Sequence, residues 1–209
     1  MSDYPSRLYL TTAVLSKAAG PVARDAHQMR CMIGHLTGAD HGAHEGDGER
    51  SLWCQPTPGV VIVQTRDTPV DWALAPGLAT TTAHARVRTD YVIGDHVTMM
   101  LVAETDKTKN DRAPGERAIL RRYRVPRTEP EIRDWVTERL GDAVSIVSLD
   151  IESMEPIRAA KKTGRFGVNR TAIHATGRVI DPVALVRHIE VGVGRGKAYG
   201  CGLLMVTAA

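Results

Sequence analysis

The order of strand and helix signals is the feature that most constrains the fold of this chain, because one order occurs twice. In the first half the signals are a strand, a helix, two strands, an irregular or helical piece and a further strand. The strands and the helix lie at residues 8–15, 23–36, 51–55, 59–65 and 83–88. The helix signal consists of apolar residues at i, i+3, i+4 and i+7, which are Met29, Met32, Ile33 and Leu36. Residues 37–50 are rich in Gly, His, Asp and Glu and are expected to form a loop.

The second half begins the same order again, with a charged loop added after its first strand. The expected strands lie at residues 96–103, 119–125, 144–151, 170–179 and 203–206, and the charged loop at residues 106–115. One helix is expected over residues 129–140, where acids start the segment and Gly141 ends it. Another is expected over residues 181–191, where Asp181 is the N-cap and Pro182 takes the first helical position.

Two successive βαββαβ units predict an α+β chain of tandem ferredoxin-like (RRM-like) domains. We expect the boundary near residues 90–95, which gives an N-terminal domain of residues 1–92 and a C-terminal domain of residues 93–209. The length of 209 residues is compatible with two small domains, although no sequence repeat relates them. Sheets of this kind commonly bind RNA, but a fold alone does not fix a function.

Positive charge is concentrated in two segments of the second half. Residues 107–127 contain eight Lys or Arg against two acids, and residues 158–209 contain nine against two, in a chain whose net charge is only +3. Clustering of this kind favours a polyanionic partner, although either segment alone is also compatible with a solvated surface.

The cysteine and hydropathy patterns restrict the setting of the protein. The cysteines Cys31, Cys54 and Cys201 are widely spaced and odd in number, which argues against a disulfide framework. We expect Cys54 and Cys201 to be small core or turn residues. The first residues are polar and the apolar runs have the length of strands, so we expect a cytoplasmic protein without a membrane partner.

Two further residue sets have a structural or a metal-binding interpretation. We expect the three tryptophans, Trp53, Trp72 and Trp135, to pack in cores rather than to stack on bases. Zinc could use the set Cys31, His35, His41 and His44. The histidine-rich part of this set lies in an acidic, Gly-rich loop with no evident supporting ligand shell, so no metal and no cofactor are assigned.

The segment Gly192–Gly202, with the sequence GVGRGKAYGCG, is the most distinctive motif. Phosphate-binding glycine loops follow a strand and open a helix, whereas this segment follows a helix and precedes a strand. Lys197 is followed by Ala198 rather than Ser or Thr, so the P-loop pattern fails as well. A helix C-cap and a tight turn account for one or two glycines but not for five. We therefore expect Gly194 and Gly196 to let the backbone approach RNA phosphates, which Arg195 and Lys197 neutralise.

This C-terminal motif resembles the signature of the CasE family, the CRISPR repeat-processing endoribonucleases of type I-E systems. Weaker matches are the N-terminal Leu-Tyr-Leu, the Arg-Asp-Ala-His-Gln-Met of the first helix and the Val-Ile-Val-Gln of residues 61–64. The resemblance covers essentially the whole chain. It implies two ferredoxin-like domains that bind the stem-loop of the repeat transcript and cut at the base of the stem without metal. It also implies that the protein stays on the mature crRNA as a subunit of Cascade.

The first helix departs from the catalytic pattern of the family it resembles. The family carries Tyr-Gln-Leu-His, with Tyr and His as catalytic residues, where this chain has His27-Gln28-Met29-Arg30. Arginine is a poor general base because it stays protonated, but it can stabilise a phosphorane. Helical spacing places His27, Arg30 and Gly34 opposite the apolar face. We expect His27 to take the acid–base role and Arg30 the electrostatic role, with His35 as a lesser candidate. The alternative is a helix that binds RNA passively.

Basic side chains provide the expected RNA contacts outside the helix. The resemblance implies a hairpin that inserts into the groove of the RNA stem, and the candidates for stem contacts are Arg158, Lys161, Lys162, Arg165 and Arg170. The family often has arginines at the end of the strand at residues 96–103, where this chain has residues 100–105, and this chain lacks them. Lys107 and Lys109 in the following loop are expected to compensate. A non-catalytic subunit that only holds the repeat hairpin remains the alternative function.

Overall fold

A computed structural model describes residues 7–38, 51–111, 121–161 and 164–209. The first half contains β1 (Leu8–Leu15), α1 (Gly20–Ala23), α2 (Ala26–Thr37), β2 (Leu52–Thr57), β3 (Val60–Arg66) and β4 (Ala79–Arg86). The second half contains β5 (His96–Ala103), β6 (Lys107–Asp111), β7 (Arg121–Val125), α3 (Glu129–Leu140), β8 (Val144–Lys161), β9 (Gly164–Val179), α4 (Pro182–Val191) and β10 (Leu204–Ala208). Short 3-10 turns lie at Lys17–Ala19, Trp72–Leu74 and Lys197–Tyr199.

Each half of the chain forms one four-stranded antiparallel sheet. The first sheet has the order β2-β3-β1-β4 and the second the order β10-β5-β9-β8. If the four strands of each sheet are numbered one to four along the chain, the first sheet has the order 2-3-1-4. The second has the order 4-1-3-2, which is the same order read from the opposite edge. This shared order is the ferredoxin-like arrangement, and the predicted tandem ferredoxin-like fold is confirmed. The first half has only the 3-10 turn Trp72–Leu74 where a second helix is usual, and the second half adds the antiparallel ribbon β6-β7.

Capping residues explain where the helices begin. Asp25 accepts hydrogen bonds from the backbone N–H of His27 (2.8 Å) and Gln28 (3.1 Å), so α2 starts at Ala26, three residues later than expected. Residues 20–23 form the separate short helix α1. Helix α3 has the predicted bounds and begins with a capping box between Thr128 and Glu131. The predicted N-cap of α4, Asp181, is confirmed.

The strand predictions were wrong in three places. The polar segment expected to form a loop at residues 106–115 contains β6, and residues 112–115 lie outside the described ranges. β8 and β9 extend far beyond the predicted bounds and replace most of the expected basic connection. β4 begins at Ala79 rather than at residue 83. In each place a partner strand satisfies the backbone hydrogen bonds, and this pairing outweighs the polar character of the side chains.

The hydrophobic core joins the two halves. One cluster of buried residues lies within the second half, apart from Leu8 and Tyr91. The other packs α2 and the first sheet against Ile157, Ala159 and Val168 of the β8-β9 hairpin. The predicted domain division at residues 92 and 93 stays a prediction, and this packing crosses it. Across the described ranges, the helices are too short or too polar to span a bilayer.

Candidate nucleic-acid interface

The N-terminal half of α2 presents a polar face. His27 and Arg30 are exposed there, while Met29 and Ile33 on the other side are buried. The Sγ atom of Cys31 lies 3.8 Å from Nε2 of His27. Gly34 was expected on the exposed face, but it is buried, because the last turns of the helix are packed more deeply than the first. The exposed histidine and arginine therefore occupy only the start of the helix.

The β8-β9 hairpin lies directly against this end of α2. Asp25, the N-cap of the helix, forms a parallel backbone bridge with Arg158 of β8. Ile157 and Ala159, on either side of Arg158, are 4% and 1% exposed, so strand alternation directs the Arg158 side chain outward. The structure thus places one predicted stem-binding residue next to the predicted catalytic helix. Lys161 and Arg165 belong to the paired strands, and Lys162 lies outside the described residues.

The Gly192–Gly202 segment has the predicted place between a helix and a strand. Its glycines at 192, 194, 196, 200 and 202 have φ values of 77°, 78°, 76°, 77° and 87°. All five therefore adopt a backbone conformation that other residues rarely take, and a Cβ on Gly194 would lie 2.8 Å from the Trp135 ring. The expectation that conformation accounts for only one or two of these glycines was wrong. The prediction that Gly194 and Gly196 contact phosphate stays a prediction.

The same segment contacts α2 and the hairpin. Its 3-10 turn, Lys197–Tyr199, packs against α2. The Tyr199 ring meets Phe166 of β9 edge to face, with ring centres 5.4 Å apart. Three elements that are distant in sequence therefore meet at one junction, which we call the catalytic junction: α2 with His27 and Arg30, the hairpin with Arg158, and the turn with Lys197.

Arg170 has a partly structural environment. It is half-buried, and its guanidinium donates to the carbonyl of Glu155 at 3.0 and 3.3 Å and to that of Gln55 at 3.4 Å. It thereby links the hairpin to β2 of the other sheet. Near it, burial raises the pKa of both Cys54 and Cys201 to about 12. The predicted core positions of these two cysteines are confirmed, and so is the packing role of the three tryptophans.

The cations expected to compensate for the missing arginines lie on β6. Lys109 is exposed, and Lys107 forms an ion pair with Glu131 of α3. The hydrogen bond from Lys107, aided by the backbone N–H of Thr128, lowers the pKa of Glu131 to about 2. Arg195 donates through Nη2 to the backbone carbonyl of Asp106 at 2.5 Å. The β6-β7 ribbon and the glycine segment are therefore adjacent.

The candidate zinc set does not form a metal site in the part of the chain that the structure describes. There, no group of three or more His, Cys, Asp or Glu residues has the geometry to hold a metal ion. His41 and His44 lie outside that part. Cys31 and His35 remain as isolated members of the set.

Two ferredoxin-like units with cationic side chains gathered at one junction define a protein of the tandem ferredoxin-like class. The chain belongs to the CRISPR-associated protein family, whose model matches residues 4–208. It is 24% identical to the CRISPR system Cascade subunit CasE of Escherichia coli K12 over 208 residues, which cover 94% of this chain and 98% of that protein.

Solved structures show the same fold. Cas6e from Escherichia coli K-12 matches with a TM-score of 0.75 and 23% identity, covering 96% of this chain and all of that one. Cse3 of Thermus thermophilus, bound to an RNA representing a pre-cleavage complex, matches with a TM-score of 0.73 and 23% identity. That match covers 96% of this chain and 99% of the Thermus chain.

Proposed function

We propose that this protein is a metal-independent endoribonuclease that cuts CRISPR precursor RNA within each repeat, at the base of the stem-loop, and stays on the mature crRNA as a Cascade subunit. The observation that carries the proposal is the catalytic junction, where an exposed histidine and arginine lie against a basic hairpin. A Cascade subunit and an RNA-bound Cse3 among the similar proteins support the substrate class.

The residues of the junction suit attack by a ribose 2′-hydroxyl. His27 removes the 2′ proton, because an imidazole nitrogen can accept a proton and then release it again. The 2′ oxygen then bonds to the adjacent phosphorus and the bond to the 5′ oxygen breaks. The proton that His27 took up is returned to the 5′ oxygen, directly or through water, so the products are a 2′,3′-cyclic phosphate and a 5′-hydroxyl. Later hydrolysis of the cyclic phosphate by water gives the 3′-phosphate. The cleavage step moves one proton through a protein side chain and calls for no metal ion.

Cations at the junction stabilise the charge of the phosphorane. Arg30 lies one turn from His27 on the same exposed face, so both can reach one phosphate. Lys197 and Arg158 lie on the two elements that contact this helix. Positioned cations act most strongly where charge develops in the transition state. Arg30 therefore supports the reaction electrostatically, and His27 is the only proton-transfer group that we assign.

The test is the cleavage of a labelled repeat hairpin in EDTA. His27→Ala is expected to lower the single-turnover rate by about 10²- to 10⁴-fold, the usual contribution of a general acid–base group, while RNA affinity stays close to that of the wild type. Gln28→Ala is the matched control, because Gln28 is exposed beside His27 on α2 but carries no acid–base group, and His35→Ala tests the lesser candidate. Undiminished cleavage by His27→Ala would refute the assignment.

The second candidate function is a non-catalytic subunit that holds the repeat hairpin. It is favoured by one observation, Arg30 at the place where the family it resembles carries its catalytic histidine. In the same assay this alternative predicts tight binding of the hairpin with no cut product in wild-type protein. A product that ends in a cyclic phosphate, formed in EDTA, excludes it.

A further inference from the structure

A polar cavity of about 350 Å³ lies beside the glycine segment. Its walls come from the end of β5, from β6, from α3 and from Gly194 and Arg195. Six charged side chains line it: Glu104, Asp106, Lys107, Arg127, Arg139 and Arg195. Four of these are cations and two are acids. The cavity is therefore a positively charged recess beside a segment that also forms the catalytic junction.

The acids of the cavity already have partners. Glu104, 6% exposed, forms an ion pair with Arg124. The carboxylate of Asp106, also 6% exposed, accepts hydrogen bonds from Nδ2 of Asn169 at 3.1 and 3.3 Å. Among the cations, Lys107 is paired with Glu131. Asn169 is neutral, so Asp106 keeps its negative charge, and this one carboxylate faces the three remaining cations of the cavity.

Three guanidinium groups are left without a carboxylate partner among the described residues: those of Arg127, Arg139 and Arg195. Within the same residues, Nε of Arg127 is buried and has no hydrogen-bond partner. A buried donor without a partner is costly, but this nitrogen is closed to solvent, so an anion in the cavity would have to bind the Nη atoms of Arg127. Guanidinium groups bind phosphate oxygens in a forked geometry, so a phosphate group fits these donors.

The size and the position of the cavity distinguish between parts of an RNA. A recess of this volume admits a phosphate with part of its nucleotide, whereas a double-stranded stem cannot enter it. Arg195 of the cavity and Lys197 of the junction are two residues apart, so their Cα atoms are separated by at most about 7 Å. A strand that leaves the junction therefore reaches the cavity within a short distance.

We infer that this cavity binds a backbone phosphate of the single-stranded RNA that flanks the repeat stem, held by Arg127, Arg139 and Arg195. This inference rests on the proposed function, because it takes the repeat RNA as the ligand. Arg127 and Arg139 become RNA-binding residues, and Trp135 supplies the apolar wall against which the ribose packs.

Binding of three RNAs tests the inference: the bare hairpin, the hairpin with a 5′ single-stranded extension and the hairpin with a 3′ extension. Deoxyribose at the base of the stem removes the 2′ nucleophile, so binding is measured without cleavage. Arg139→Gln is expected to weaken binding of one extended RNA about tenfold, the loss of one charge-assisted contact. The magnitude of the slope of log affinity against log salt concentration decreases by about 0.7 for that RNA. Affinity for the bare hairpin stays unchanged.

Arg133→Gln is the control, since Arg133 is exposed on the same helix but does not line the cavity. Arg127→Gln should repeat the effect of Arg139→Gln, and Arg139→Lys should keep the salt slope. Equal losses on all three RNAs, or no loss on either extended RNA, would overturn the inference. If the wild type binds no repeat RNA, the proposed function fails together with it.

A last arm separates the RNA backbone from a free phosphate. Inorganic phosphate at millimolar concentration is added to the wild type and to Arg139→Gln in a thermal unfolding assay. Stabilisation of the wild type alone, without any dependence of RNA binding on the extension, would assign the cavity to a free phosphate and overturn the inference. Competition by phosphate against only the extended RNA supports it.

Discussion

Gly200 provides the sharpest test of what the glycine segment does. Its φ of +77° lies in the left-handed region, and a Cβ built on it would lie 2.7 Å from Cζ3 of Trp53. Trp53 is 2% exposed, so its ring cannot move aside without disturbing the core. Gly200→Ala therefore combines two costs, backbone strain and an overpacked indole.

The magnitude follows from these two costs and one offset. A left-handed conformation costs an L-residue about 1–2 kcal/mol, and forcing a methyl group into a packed core costs about 1–3 kcal/mol. The lower entropy of the unfolded alanine chain returns about 0.4–1 kcal/mol. Gly200→Ala should therefore lower the free energy of unfolding by about 1–5 kcal/mol.

Gly77→Ala separates the two costs. Gly77 has a similar φ, +79°, but nothing lies within 4 Å of its Cβ position, so only the backbone cost applies. Urea denaturation followed by tryptophan fluorescence measures both variants, with the loss at Gly200 exceeding that at Gly77 by at least about 1 kcal/mol. Equal losses at the two positions would show that the contact with Trp53 carries no strain, and the packing account of the segment would be wrong.

Two further predictions concern the thiols and acid stability. Ellman's reagent at pH 8 should rapidly modify only the Cys31 thiol in native protein and all three thiols in denaturant. The reason is that burial raises the pKa of Cys54 and Cys201 to about 12. Rapid modification of all three thiols in native protein would contradict this prediction. Asp142 accepts a hydrogen bond from His188, which holds the pKa of the carboxyl below its ordinary value. The ionised Asp142 therefore stabilises the fold fully above about pH 4, and this stabilisation is lost as the pH falls further. Asp142→Asn should show a smaller drop in Tm on acidification than the wild type. An identical drop would refute this link between Asp142 and acid stability.

Periodicity and capping residues made much of the fold predictable. The helix α3 and the strands β1 and β5 have the predicted bounds, because each combines a regular apolar pattern with clear ends. The strand β6 and the outer parts of the β8-β9 hairpin could not be predicted in this way. Their strands carry polar and charged residues, and only pairing with a partner strand, which a local pattern does not contain, makes them β structure.

The candidate site was likewise predictable only in part. His27 and Arg30 were predicted to be exposed from helical spacing, and they are. The roles of the glycines could not be derived, since a positive φ depends on contacts with residues as distant in sequence as Trp53 and Trp135. The cavity that brings Arg127 and Arg139 together could not be predicted, because nothing in the sequence relates one to the other. Arg139 alone has the pattern of a basic residue in the last turn of a helix.

The backbone bridge between Asp25 and Arg158 bears on how the RNA specificity of such a protein can be changed. The hairpin that would recognise a stem also supports the first turn of α2, the helix to which the proposal assigns catalysis. Transplanting a hairpin from a relative in order to accept a new repeat therefore also changes the backbone contact that supports the start of this helix. A successful graft has to carry its own version of residues 24–37 along with it, so that recognition and catalysis are exchanged as one unit.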